Sequence, residues 1–316
     1  MPGPERPLEA LRFLFVTGKG GVGKTSYTAA LATHLAARGK RVLVAMCGAH
    51  ERLSGMLGAA PIGHDIALVA DGVWATRIDP PRAMEEYGEL VIRVRTLSRA
   101  VFDNKYTTTF FRAVPGLYDW AMLGKAWYHT TEVDAGDRPR FDVVLFDAPS
   151  TGHGLDMLRV PRVILDIVPP GRLRRDAQAA WDLFRDPERS GVVVVSLPEA
   201  LPTTESVELV TAIREELSLP LAQLVVNAVV APLFSPEEHR TFAARPELLA
   251  RVSDAAQPVG TRALSIAARR AAREALQAAC IGRLEAAVGA AAVRLPFLLE
   301  GAGTPEGTEA LAASLE

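Results

Sequence analysis

The sequence predicts an α/β fold built on a mostly parallel sheet, and three observations carry that expectation. The apolar run Phe13-Leu14-Phe15-Val16-Thr17 leads straight into the glycine-rich turn Gly18-Lys19-Gly20-Gly21-Val22-Gly23 and then into Lys24-Thr25-Ser26, where helical spacing begins. Short β-branched runs then alternate with helical stretches, as a parallel sheet with crossover helices requires. A second apolar run, Phe141 to Phe146, ends on Asp147, which places an acid at the carboxyl end of a buried strand, beside the first turn.

The elements follow in order. A helix runs from about Lys24 through Ala29, Leu31, Leu35 and Ala36, and Gly39 lies where a left-handed cap belongs. Arg41 to Ala45 is the next strand. Val73 to Asp79 is a third, closed by Pro80-Pro81, which can open a helix but cannot continue a strand. Further strands are Phe141 to Phe146, Val192 to Ser196 and Leu224 to Asn227, with a short one near Val293. Between Ile78 and Phe141 there is no strand signal, so residues 81–133 read as a helical subdomain inserted into one domain spanning residues 1–316. No internal repeat or low-complexity linker interrupts it.

Composition narrows the function classes. With 316 residues, 49% of them hydrophobic, the chain can bury a sizeable core, and a formal net charge of −2 gives no general attraction to nucleic acid or anionic lipid. The two cysteines, Cys47 and Cys280, are far apart and form neither a disulfide framework nor a cysteine zinc site. No run of about 18 apolar residues occurs, and the amino-terminal residues lack a signal peptide's apolar segment. The expectation is a cytoplasmic protein without direct membrane insertion. Arg172, Arg174 and Arg175, and later Arg269, Arg270 and Arg273, form short clusters followed by acids, which read as solvated helix faces rather than a nucleic-acid surface. The acidic carboxyl-terminal stretch argues against membrane docking.

The glycine loop has a chemical purpose. Gly18, Gly20, Gly21 and Gly23 let the backbone bend tightly around phosphate oxygens, with Val22 between them, and the following helix turns its positive end on the anion. Lys24 would reach the β- and γ-phosphates of ATP, Thr25 would ligate Mg²⁺, and Ser26 completes the motif. The fold class is therefore a Rossmann-like P-loop nucleotide triphosphatase. Asp147 is assigned to Mg²⁺ through a bound water. Asp142, at the other end of its strand, reads as a solvated end or turn residue. Gly152 would bring a backbone N–H close to the γ-phosphate. His153 is read as orienting that loop rather than transferring a proton. Asn227, at a strand end, offers a donor and an acceptor that match adenine or that cap the turn after the strand, and Leu295, Pro296 and Phe297 could pack on the base or serve as buried core.

A family resemblance becomes specific at these residues. Gly18 to Thr25, with its second lysine at Lys19, resembles the deviant Walker A loop, in which the extra lysine crosses a dimer interface to the partner's nucleotide. Asp147-Ala148-Pro149-Ser150-Thr151-Gly152-His153 resembles the second switch of the arsenite-pump ATPase (ArsA) family, which includes the ATPases that target tail-anchored membrane proteins. That family's usual switch reads D-T-A-P-T-G-H-T-L, so the Asp, Gly, His and Leu155 keep register while the intervening residues differ. Pro198-Glu199-Ala200-Leu201 with Glu205-Ser206, Val225-Val226-Asn227, and Arg294 to Glu300 are similar to three further family segments, the last two around the base. The resemblance runs from about residue 13 to 314. It implies an ATPase acting as a homodimer, or as a heterodimer with a paralogue, that handles a protein partner, with a hydrophobic client surface in the 81–133 insertion. Leu90, Val94, Leu97 and Val101 form one stripe at helical spacing there, a pattern shared by a client groove and by ordinary core.

One departure outweighs the matches. Where the family reads D-P-A-H after the second strand, this chain has Cys47-Gly48-Ala49-His50, so cysteine replaces the aspartate that positions the attacking water. A thiol is a poor acceptor for a water proton and lacks the carboxylate's second oxygen. Hydrolysis is expected to be slow, or to depend on a partner or on another group nearby in sequence, Glu51 first and His50 after it. The other expectation from the same departure is an ATP-sensing subunit that does not hydrolyse, paired with an active paralogue.

Overall fold

The computed structural model describes residues 7–47, 51–92, 116–149, 151–250 and 258–315. A single eight-stranded sheet forms its centre, in the order β3-β4-β2-β5-β1-β6-β7-β8. Its strands are β1 (Phe13–Thr17), β2 (Val42–Met46), β3 (Ala67–Ala70), β4 (Val73–Arg77), β5 (Val143–Asp147), β6 (Ser190–Ser196), β7 (Leu221–Val229) and β8 (Val293–Pro296). All neighbours run parallel except β3 and β4. Strand β3 went unanticipated. It is an edge strand paired on one side only, and Ala67 and Leu68 are exposed, so it carries no burial pattern for a sequence reading to find.

The central strands are apolar throughout because both sheet faces are covered. Side chains alternate along β1, so Phe13 and Phe15 join the core on one face while Leu14 and Val16 join the core on the other. The first face stacks Phe15 on Phe146 at 5.1 Å between ring centroids and Phe13 against Phe184 at 4.9 Å. It is covered by α3 (Pro80–Ile92), α4 (Leu117–His129), α5 (Thr151–Ile167), α6 (Arg172–Arg185) and α7 (Ala200–Thr211). Trp120 anchors α4 there and is fully buried. The opposite face is covered by α1 (Lys24–Ala37), the short α2 (Leu53–Leu57) and α11 (Pro305–Ala313), whose Leu311 is buried with Leu31 and Leu35 of α1. Helix α11 thus closes the core on this face. In the chain between α7 and α11 lie α8 (Pro236–Ala243), α9 (Glu247–Ala250) and the long α10 (Val259–Val288), whose Ile281, Leu284 and Val288 join the core of the first face.

The topology fixes where a ligand can sit. From β1 the chain winds outward through β2, β3 and β4, returns to β5 next to β1, and then crosses to β6 on the other side. The carboxyl ends of β5, β1 and β6 therefore border the switch point at which open α/β sheets bind their ligands. Away from it, Asp142 is a structural pin. Its carboxylate accepts hydrogen bonds from the Arg41 backbone N–H at 2.8 Å and guanidinium at 3.0 and 3.1 Å, locking the starts of β2 and β5. One arginine of each cluster is spent internally: Arg174 donates to the carbonyls of Leu165 and Val168, and Arg270 to Glu274. Among the described residues no helix is long and apolar enough to cross a membrane. Of the apolar stripe, Val94, Leu97 and Val101 lie outside the described residues.

Candidate nucleotide site

The loop between β1 and α1 takes a shape that only glycine accepts at two points. Gly18 has φ +147°, and a Cβ there would fall 2.2 Å from the Val195 carbonyl oxygen of β6. Gly23 has φ +93°, and its Cβ would meet Asn227 Nδ2 at 2.1 Å. The loop is braced from β7, since Asn227 donates to the Val22 carbonyl at 2.9 Å while accepting from its neighbour Ala228 at 2.8 Å. Val22 itself is buried in the core. The first turn of α1, with the unpaired N–H groups every helix start presents, is thereby aimed at the switch point.

Three side chains converge here. Lys24 extends its ammonium back over the loop, donating to the carbonyls of Gly18 at 3.0 Å and Lys19 at 3.1 Å. Burial lowers its pKa, and the charge of Asp147 opposes that shift. Thr25 donates its hydroxyl to Asp147 Oδ2 at 2.7 Å. The other carboxylate oxygen, Oδ1, is buried with no hydrogen-bond partner. Burial accordingly pushes the Asp147 carboxyl up to about 6, against the pull of Thr25 and Lys24.

An orphaned carboxylate oxygen beside a threonine hydroxyl fits a divalent cation. Among the described residues no group of three or more His, Cys, Asp or Glu could hold a metal alone. Thr25 and Asp147 could therefore hold Mg²⁺ only together with phosphate oxygens and water, which is how that ion usually binds at nucleotide sites. When bound, Mg²⁺ would neutralise charge on the transferred phosphoryl group.

The raised Asp147 carboxyl makes a checkable stability prediction. Between its ordinary value of 3.8 and about 6 the folded chain holds a proton that the unfolded chain has lost, so stability falls as pH rises through that window. Asp147→Asn should therefore raise the melting temperature at pH 7.5 in chelator without nucleotide. The gain should shrink as pH drops from 6 to 4 and vanish below that. Equal melting temperatures at pH 7.5 would contradict it.

The Cys47 backbone N–H, just beyond β2, donates to the Asp147 carbonyl at 3.2 Å, so the two residues are adjacent. Burial pushes the thiol well above its ordinary range, and the negative charges of Asp147 and Asp119 push it further. Cys47 thus stays protonated near neutral pH and is no base. Glu51 is engaged elsewhere. Its carboxylate accepts from the Ser54 N–H at 2.8 Å, from the Ser54 hydroxyl at 2.5 Å and from Ile62 N–H at 3.5 Å, fastening the start of α2. Burial raises its carboxyl, but these bonds outweigh that and hold it below the ordinary value. Gly48, Ala49 and His50 lie outside the described residues.

The remaining assigned residues divide. Lys19 forms an ion pair at 2.6 Å with Glu205 of α7 in its own chain. Gly152 is the second residue of α5, where a Cβ would meet nothing within 4 Å, and Gly154 packs against Thr17 at the entrance of the loop. Asn227, Pro296 and Phe297 lie together at the β7–β8 edge, where Phe297 N–H donates to the Val229 carbonyl at 2.9 Å and Arg273 lies 5.8 Å above its ring. Two features escaped the sequence reading. Glu205 was noted as part of a motif but not as the partner of Lys19, and Asp119 was not singled out at all. Asp119 Oδ1 lies 3.0 Å from His153 Nε2. Nothing local marks it, because the pairing exists only once α4 packs beside α5.

The geometry defines a P-loop nucleotide-binding protein, and comparison with known proteins supplies the class. The anion-transporting ATPase family model (ArsA_ATPase) matches residues 11–169, and the chain belongs to that family. It is 27% identical to the ATPase BagA of Mycobacterium tuberculosis over 239 residues, covering 73% of this chain and 69% of that protein. It is also similar to a putative arsenical pump-driving ATPase of Halobacterium salinarum, 29% identical over 70% of this chain and 36% of the relative. The arsenical pump-driving ATPase of Acidiphilium multivorum is 28% identical over 73% of this chain and 41% of the relative. Matches thus span well under half the length of these last two proteins.

Proposed function

We propose that this chain is a cytoplasmic, Mg²⁺- and ATP-dependent dimeric ATPase that couples nucleotide-driven closure of the dimer to a protein partner or client, and that its hydrolysis is slow or partner-dependent. The observation that carries the nucleotide half of this reading is the Thr25–Asp147 pair, with its unpartnered carboxylate oxygen, at the foot of a glycine loop crossed by Lys24. The slow turnover rests on Cys47, whose protonated thiol stands where family members carry an aspartate. The same cysteine supports a second reading, a non-hydrolysing ATP-sensing subunit of a heterodimer with an active paralogue. Calorimetry with Mg²⁺–ATP, together with phosphate release from the isolated chain, tests both. Binding with slow release supports the first, binding with no release at any protein concentration supports the second, and no binding contradicts both.

The dimer requires Lys19 to act in trans, like an arginine finger. In the isolated chain its ammonium is held by Glu205, and both side chains are about 30% exposed, so the pair is screened by solvent and cheap to break. Lys19→Ala should bind ATP normally, lose hydrolysis and weaken the ATP-dependent dimer. Glu205→Gln should release the lysine and strengthen that dimer by a few fold. Light scattering that finds a monomer with and without ATP at high concentration would refute the trans role.

A further inference from the structure

The carboxylate missing at position 47 leaves the attacking water without an acceptor, and Glu51 is tied to Ser54. Among the described acids near the site, Glu205 is paired with Lys19, whereas Asp119 faces a histidine. Asp119 sits in the first turn of α4, on the same helix as the buried Trp120 that fixes α4 to the sheet. Its side chain is 16% exposed and contacts His153 Nε2 through Oδ1 at 3.0 Å, while the His153 side chain is 52% exposed. The next residue after His153, Gly154, packs so closely on Thr17, the residue before the glycine loop, that a Cβ would lie 3.0 Å from the Thr17 hydroxyl, which sets the backbone of this turn beside the loop. The groups whose charges bear on this acid are His153 and Asp156 of α5, and its own charge acts on the Cys47 thiol.

We infer that Asp119 and His153 form a carboxylate–imidazole pair that replaces the absent aspartate, with His153 as proton acceptor for the hydrolytic water and Asp119 as its positioning residue. This rests on the ATPase reading above. With Nε2–H donated to Asp119, the Nδ1 lone pair is left for the water proton. The water oxygen bonds to the γ-phosphorus as the bond from phosphorus to the β–γ bridging oxygen breaks, and ADP leaves with that electron pair. The proton passes to Nδ1 and then to solvent, and the negative Asp119 stabilises the imidazolium between those events. A helix from the insertion thus contributes to the reaction, which gives a partner bound there a direct route to turnover.

A double-mutant cycle on the full chain separates this from simple bracing of the switch. Asp119→Asn keeps an acceptor for His153 and removes only the charge. It should lower kcat at least about tenfold with KM for ATP within about twofold. His153→Gln should lose as much, and the double variant little more. In a Cys47→Asp background the same Asp119→Asn change should cost less than about threefold, because the restored carboxylate takes over the water. A purely structural pair would lose the same factor in both backgrounds, and that result overturns the inference. So does a wild-type rate in Asp119→Asn, or ATP binding by the wild type with no turnover at all. Failure of the wild type to bind ATP in calorimetry overturns instead the ATPase reading on which the pair depends.

Discussion

Lys24→Ala is expected to abolish measurable ATP binding. The ammonium lies across the mouth of the loop, held by two carbonyls at 3.0 and 3.1 Å, from which a short swing takes it to phosphate oxygens. Each charge-assisted hydrogen bond it would make to phosphate is worth about 1.5–3 kcal/mol, so losing two costs at least about a hundredfold in affinity. The fold should survive, because Lys19 is partly exposed and Gly20 exposed, so water can take the place of the lysine at these carbonyls. Calorimetry against Mg²⁺–ATP and thermal melting of the same sample check both halves. Unchanged affinity would remove the site assignment.

Cys47→Asp is expected to raise ATP hydrolysis at least about tenfold, a barrier lower by roughly 1.4 kcal/mol. The substitution restores a group that can orient water beside Asp147 and replaces a thiol whose proton the surroundings hold fast. It also adds a negative charge next to Asp147 and Asp119, so the variant should melt earlier in chelator and recover with Mg²⁺ and nucleotide. Glu51→Gln should alter the rate little, since that carboxylate serves the start of α2. If Glu51 were the acid, its glutamine variant would be silent and Cys47→Asp would change nothing. Steady-state phosphate release from both single variants decides between them.

The sequence made the centre of the molecule legible and the edges less so. Strands β1, β2 and β5 are buried on both faces, and burial writes itself into sequence as unbroken apolar runs; β3, half in solvent, writes nothing. The glycine loop was readable because its geometry excludes other residues, as the close approaches at Gly18 and Gly23 show. Thr25 and Asp147 are 122 positions apart yet meet, because Asp147 ends β5 while Thr25 lies in the first turn of the helix that the glycine loop feeds from the carboxyl end of the neighbouring β1, and that rule can be applied in advance. Asp119 obeys no such rule. Its meeting with His153 depends on how α4 packs beside α5, which helical periodicity does not specify. Glu51 shows the converse error of proximity in sequence, since four positions from Cys47 it turns away to cap a helix.

The proposed Mg²⁺–ATP site is one whose turnover is limited by the cysteine. Its most direct test is phosphate release from the purified wild type and Cys47→Asp, followed across protein concentration with ATP binding measured in parallel. Mg²⁺-dependent binding by both is expected, with a slow wild-type rate per chain that climbs with concentration as dimers form and a rate at least about tenfold higher for the aspartate variant. A wild type that binds ATP and turns it over rapidly, at a rate per chain independent of concentration and unchanged by Cys47→Asp, would contradict it.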